Sequence, residues 1–161
     1  MKLQEQLFAE MKGRIAEDDA SVPAADGPWE YFESFTTGGQ YPRYVRRPRG
    51  ASAEADHIYF DGDVESAGTS YFRIGGVSHA PDHSRFAYAV DTLGSEVFVL
   101  RFREFDGTTR YAEALADTAG RFVWASDNAH LFYAVLDRNH RPCRIYRHRL
   151  GTPQSDDVLV Y

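Results

Sequence analysis

Gly76-Val77-Ser78-His79-Ala80 differs by one residue from G-x-S-x-G, in which a serine stands on a strained turn and attacks an acyl carbon. That chemistry needs a strand before the serine and a helix after it. Here Pro81 and Asp82 follow, and then a second apolar run, so Ser78 and His79 are expected in ordinary strand positions leading into a turn. His79 and His83 have the spacing of two metal ligands on one helical face, but Pro81 between them forbids a regular helix. Asp61-Gly62-Asp63-Val64-Glu65 opens like a calcium loop without the full pattern and its closing glutamate, and is expected to be a connection between repeats. Arg138, Arg141, Arg144, Arg147 and Arg149, with His140 and His148 around Tyr146, form a basic patch of the kind that grips single-stranded nucleic acid. Alternation at period two describes a half-buried strand instead: Cys143, Ile145 and Tyr146 inward or against a neighbour, arginines outward. Trp29 and Trp124 are expected in the core rather than as ligand platforms. No catalytic, cofactor-binding or metal-binding residue is assigned to the chain, and no cofactor is expected.

The elements that would position these residues begin with a helix. Leu3, Leu7, Met11 and Ile15 recur every four residues with Phe8 beside them, predicting an amphipathic helix over residues 1–19 that stops near Asp18 and Asp19. A turn-rich linker, 20–28, follows. From Trp29 the period becomes two. Strands are predicted at Trp29 to Phe32, Tyr41 to Val45, His57 to Phe60, Tyr71 to Val77, Arg85 to Val90, Glu96 to Arg103 and Tyr111 to Leu115. Four more follow at Arg121 to Ala125, His130 to Leu136, Cys143 to Leu150 and Val158 to Tyr161. The Thr36-Thr37-Gly38-Gly39 stretch reads as a hairpin turn.

One passage is said twice. Ala80, Asp82, Phe86, Tyr88, Ala89 and Val90 are answered 45 residues later by Ala125, Asp127, Leu131, Tyr133, Ala134 and Val135. Four short strands in each such repeat is the arithmetic of a propeller blade, and an up-and-down barrel gives no reason for it. The expected fold is therefore all-β: a partial β-propeller of about two and a half four-stranded antiparallel blades after one N-terminal helix. The blades fall at about 29–63, 70–117 and 121–161. Propellers close with four to eight blades, so this number leaves sheet edges open, and VLVY ends the chain inside a strand pattern; a fragment is expected.

Composition narrows the class. Aromatic residues make up 14% of the chain, with ten Tyr and eleven Phe, which favours strands. A net charge of −6 works against a nucleic-acid or membrane-surface role. No apolar run is long enough to cross a bilayer, and the charged start of the chain is unlike a secretory signal. The single cysteine, Cys143, excludes an internal disulfide, and a reducing cytoplasm is expected.

Three stretches, in preserved order across the chain, carry a family resemblance. They are MKGRIAEDDASVPAADGPWEYF; GGQYPRYVRRP with YFRIGGVSHAPDHSRFAYAVD; and FVWASDNAHLFYAVLDRNHRPCRIYRHRLGTPQSDDVLVY. Together they resemble the oligopeptidase B branch of the prolyl oligopeptidase family of serine peptidases. The resemblance implies a two-domain enzyme whose α/β-hydrolase domain carries a Ser-Asp-His triad and whose seven-bladed propeller filters substrates by size. It implies cleavage of short peptides after Arg or Lys. This chain matches the start of the propeller, so no catalytic residue carries over and the chain alone is expected to be inactive. Its expected partners are the remaining blades and the hydrolase domain, with peptide substrates in the full enzyme. The alternative is a stand-alone interaction module that covers its open edges by homo-oligomerising, and on either reading the open edges lead to an expected homo-oligomer in solution.

Overall fold

A computed structural model describes residues 2–107 and 110–161 of the chain. They fall into two compact units, one ending at Glu65 and the other spanning Ser66–Tyr161.

The first unit opens with α1, Lys2–Lys12. The helix is shorter than its apolar repeat predicts. The Gly13 amide makes the last four-residue bond, to Ala9 O, and Arg14 and Ile15 then close three-residue bonds to Met11 O and Lys12 O. Gly13 keeps a right-handed backbone, and its low helix propensity favours such a stop. Leu3, Leu7, Phe8 and Met11 are 50–69% exposed, so the apolar stripe is uncovered. Four strands follow: β1, Ala24–Asp26; β2, Trp29–Ser34; β3, Arg43–Pro48; and β4, His57–Asp61. They pair antiparallel in sequence order. β1 lies within the predicted linker. Its small residues show no apolar alternation, and its pairing with Trp29, Glu30 and Tyr31 is what makes it a strand. Val45 and Phe60 form the buried centre, ringed by Tyr31, Tyr44 and Tyr59. A one-turn helix α2, Gly62–Glu65, closes the unit.

The second unit holds β5, Arg73–His79; β6, Arg85–Asp91; β7, Phe98–Glu104; β8, Arg110–Trp124; β9, His130–Leu136; β10, Pro142–Arg149; and β11, Val158–Leu159. All seven are antiparallel and ordered as in the sequence. β8 replaces two predicted strands. Its first half pairs with β7 and its second with β9, and the register breaks between Thr118 and Phe122. Asp117 and Gly120 there have φ of 57° and 78°, so the strand bends instead of ending. The bend carries the ladder from β7 on one side to β9 on the other. β5 to early β8 and late β8 to β11 are thus two blade-like, four-stranded halves of one seven-stranded sheet.

One core joins the two blades: Ala80, Ala87, Ala89, Leu100, Phe102 and Leu115 from the first, Trp124, Leu131 and Tyr133 from the second. The small alanines of β6 let the aromatic side chains opposite approach closely, which is how facing layers interdigitate at native density. The result is a partial β-propeller with one N-terminal helix, as the strand count and repeat predict.

Candidate functional site

The serine of the near-elbow lies on β5, and a turn and then β6 follow it. That turn is closed by His83 N donating to Ala80 O at 2.9 Å. Ser78 Oγ lies 3.5 Å from the His79 carbonyl, and the Ser78 carbonyl accepts the Trp124 indole. His79 Nδ1 lies 3.0 Å from Ala80 O, and its ring packs against His83, centroids 4.9 Å apart. Neighbours on a strand point to opposite faces, so Ser78 and His79 are not aimed at each other. Strand, turn and strand is the geometry here.

Asp61 and Asp63 cap structure. Asp61 Oδ1 accepts the Asp63 and Val64 amides at the start of α2, and its Oδ2 pairs with Arg43 Nε at 2.9 Å. Asp63 Oδ1 accepts the amides of Gln40 and Tyr41, pinning the loop between β2 and β3. Among the described residues, no three His, Cys, Asp or Glu side chains converge as a metal site.

The basic patch is divided differently from the expectation. β10 pairs residue by residue with β9, Ile145 opposite Ala134 and Tyr146 opposite Tyr133. Period two therefore cannot turn Ile145 and Tyr146 the same way. Tyr146 stacks on Tyr133 at the core, while Ile145 shares the other face with Arg147 and Arg149. His148 leaves the patch altogether. It is 0% exposed, its Nδ1 is 2.7 Å from Asp157 Oδ1, and its ring stacks on Phe102. The signal for this lay in the phase: His148 is two residues from Tyr146 and shares its side.

Trp124 lies edge-on to Phe102 in the core, as expected. Trp29 does not: it is half-buried, and its ring carries the Arg46 guanidinium at 4.1 Å, because it opens β2 at the margin of its sheet.

Repetition has a chemical content that the residue types alone only hint at. Asp82 and Asp127 hold equivalent turns, Asp82 accepting from Ser84 and Asp127 from the Ala129 and His130 amides. Asp91 and Asp137 hold the next pair of turns, Asp91 through the amides of Leu93, Gly94 and Glu96. The seam between blades is bonded as well. Asn128 Oδ1 accepts the Asp82 amide at 2.8 Å, and Gln154 grips Ala116, accepting from its N–H and donating to its carbonyl.

The far face of the second blade is uncovered. Val123, Phe132, Ala134 and Ile145 point there, Val123 being 67% exposed, and a cavity of about 450 Å³ opens between them and Gly75, Gly76 and Ser78. An apolar sheet face is built to be covered by another layer.

The chain matches the family model of the prolyl oligopeptidase N-terminal β-propeller domain over residues 1–161. It belongs to that family. Oligopeptidase B from Leishmania major superposes with a TM-score of 0.93 at 30% identity, over 99% of this chain and 23% of that one. Oligopeptidase B from Trypanosoma brucei gives 0.89 at 32% identity, over 99% and 22%. Dipeptidyl aminopeptidase BI of Pseudoxanthomonas mexicana is 32% identical over 99% of this chain and 24% of its own length. The chain thus spans about a quarter of the length of the relatives it matches. Within the prolyl oligopeptidase family this propeller segment belongs to a larger enzyme with a catalytic domain. Among the described residues no helix is long and apolar enough to cross a membrane.

Proposed function

We propose that this chain is the opening part of the gating propeller of a cytoplasmic serine oligopeptidase that cleaves short peptides after Arg or Lys. The supporting observation is the likeness, over nearly the whole chain, to two oligopeptidase B structures at 30% and 32% identity. In this reading the blades run over about 29–63, 70–117 and 121–161. The propeller excludes folded proteins, and acyl transfer belongs to a hydrolase domain elsewhere. No residue of this chain is assigned to catalysis, to a cofactor or to a metal; Ser78 and His79 serve the blade.

Two assays test it. The chain alone is expected to hydrolyse no Arg or Lys ester or amide; a rate above buffer, abolished by a serine-directed inhibitor, overturns this. Joined to its hydrolase domain, the protein is expected to cleave N-terminally blocked short peptides after Arg or Lys and to spare folded proteins. Release of dipeptides only from free N-termini would favour the activity that the name of the Pseudoxanthomonas relative describes.

A second reading is a stand-alone module that homo-oligomerises to cover its open sheet edges, and the uncovered apolar face of the second blade favours association as well. Both readings expect the chain alone to self-associate; sedimentation with the remaining blades added distinguishes them, a closed homo-oligomer that ignores them supporting the module and one that gives way to assembly with them supporting the peptidase.

A further inference from the structure

The far face of the second blade repeats a face that is already covered in the first. Moving 45 residues along the chain takes Ala87, Ala89, Leu100, Phe102 and Leu115 to Phe132, Ala134, Ile145, Arg147 and Val160. The pairing moves with them. Ala87 stands opposite Phe102 and Ala89 opposite Leu100, as Phe132 stands opposite Arg147 and Ala134 opposite Ile145. Leu115 lies opposite Leu100, and the Val160 amide donates to the Ile145 carbonyl.

The two faces differ in cover. The five residues of the first blade are 0–1% exposed, packed under Trp124, Leu131 and Tyr133. Their counterparts lie open: Ile145 is 39% exposed and Val160 54%. One counterpart also changes in kind. Phe102 is met by the edge of Trp124 and the ring of His148, centroids 6.0 and 5.6 Å away. Arg147 takes its place in the second blade, set between Phe132 and Val158 on the neighbouring strands. Its side chain is exposed and has no ion-pair partner among the described residues. A layer laid over this face buries a positive charge, which is costly unless the layer brings a negative one.

A second copy of the chain does not supply that layer. The side chains that cover the first blade, Trp124, Leu131, Tyr133 and His148, are 0–9% exposed and already used within the chain. The open face is no better a partner for itself. It carries Arg147 and Arg149, and Asp127 at its margin is taken up by the Ala129 and His130 amides and the His130 ring. Two such faces set together bring like charges into contact.

We propose that the open face is the seat of a third blade from further along the same polypeptide, and that this blade sets a carboxylate against Arg147. Its large apolar side chains cover Phe132, Ala134, Ile145 and Val160, as Trp124, Leu131 and Tyr133 cover the first blade. Arg147 thereby selects the layer that belongs there over another copy of the chain. On this account copies of the chain meet at their open edges and not on this face. The proposal rests on reading the chain as the opening part of a longer propeller, in keeping with its span of about a quarter of its relatives' length.

The test compares the chain alone with the full-length protein. Phenylglyoxal labelling read by mass spectrometry reports on the arginine without any substitution. Arg147 is expected to react at least about tenfold more slowly in the full-length protein, as a buried, paired group does. I145D places a charge under the layer, and R147M removes the guanidinium. In the chain alone both are expected to leave the melting temperature and the sedimentation profile unchanged. In the full-length protein each is expected to lower the melting temperature by about 2–4 °C, and R147K to lose less than R147M. Equal labelling of Arg147 in the two forms, or full-length R147M as stable as wild type, overturns the proposal. So does an I145D chain that sediments as a smaller species, which assigns the face to a second copy. Cleavage after Arg or Lys tests the peptidase reading separately: an active full-length enzyme with Arg147 freely labelled overturns the third-blade contact alone.

Discussion

The indole Nε1 of Trp124 donates a 3.1 Å hydrogen bond to the carbonyl of Ser78, 46 residues earlier. It ties the inner strand of one blade to the inner strand of the next. W124F keeps the contact with Phe102 and loses the donor, so a loss of about 1–3 kcal/mol is expected from the unsatisfied acceptor. W124A adds a cavity and is expected to cost about 3–5 kcal/mol. S78A leaves the carbonyl in place and is expected to change stability by less than about 0.5 kcal/mol. Urea unfolding of the three variants checks the order.

Phe98 lies against two glycines, and their substitution should not be equivalent. A Cβ on Gly120 would stand 2.7 Å from the Phe98 ring at a φ of +78°. A Cβ on Gly75 would stand 2.8 Å from that ring and also 2.9 Å from the Gly120 Cα. G120A is expected to lose at least about 1–2 kcal/mol from the left-handed backbone alone, plus the ring clash. F98L relieves the ring clash, so adding it should recover part of the G120A loss and less of the G75A loss, where backbone blocks the way. A double-mutant cycle by thermal denaturation reads this directly.

Asp127 sets a pH dependence on the acid side. The amides of Ala129 and His130 and the His130 ring hold its carboxyl at about 2, against an ordinary 3.8. A lowered folded value means that the contribution is complete above the ordinary value and disappears as pH falls through about 2. D127N keeps an acceptor but no charge. Its deficit in melting temperature relative to wild type is expected to be constant near pH 6 and to shrink to nothing between about pH 4 and pH 2.

Tyr44 behaves oppositely at the alkaline end. Burial, then the neighbouring Glu33 charge, pushes its hydroxyl up to about 12 from 10.0. The unfolded chain ionises first, so folding loses stability from pH 10 towards pH 12. Y44F is expected to flatten that part of the alkaline stability profile, measured by urea unfolding between pH 9 and pH 12.

Much of this architecture could be read from residue types because the repeat is written in side chains with local jobs. Asp82 and Asp127 bond amides two or three residues ahead, so their spacing survives in the sequence. Features made by distant backbone left less trace. Ala24–Asp26 is a strand only because Trp29–Tyr31 lies beside it. Asp117 to Gly120 carries turn residues, yet the ladder continues through it because left-handed φ values turn the strand without releasing it. His148 looked basic among arginines, and only the pairing of β10 with β9 puts it with Tyr146 against the core. Its partner Asp157 lies nine residues on, a contact that strand periodicity does not announce.

Gln154 has a consequence for how the protein behaves in a crowd. The outward edge of early β8 offers the N–H and C=O of Ala116, and one glutamine amide occupies both. A carboxamide in that position imitates a single residue of a neighbouring strand, but it cannot be extended. It therefore acts as a terminator: a stray extended peptide seeking to lengthen the sheet meets a filled position near the end of that edge, two residues before Thr118 pairs with β9. Q154A would reopen it, leaving the Ala116 backbone as a template on which a further strand could pair.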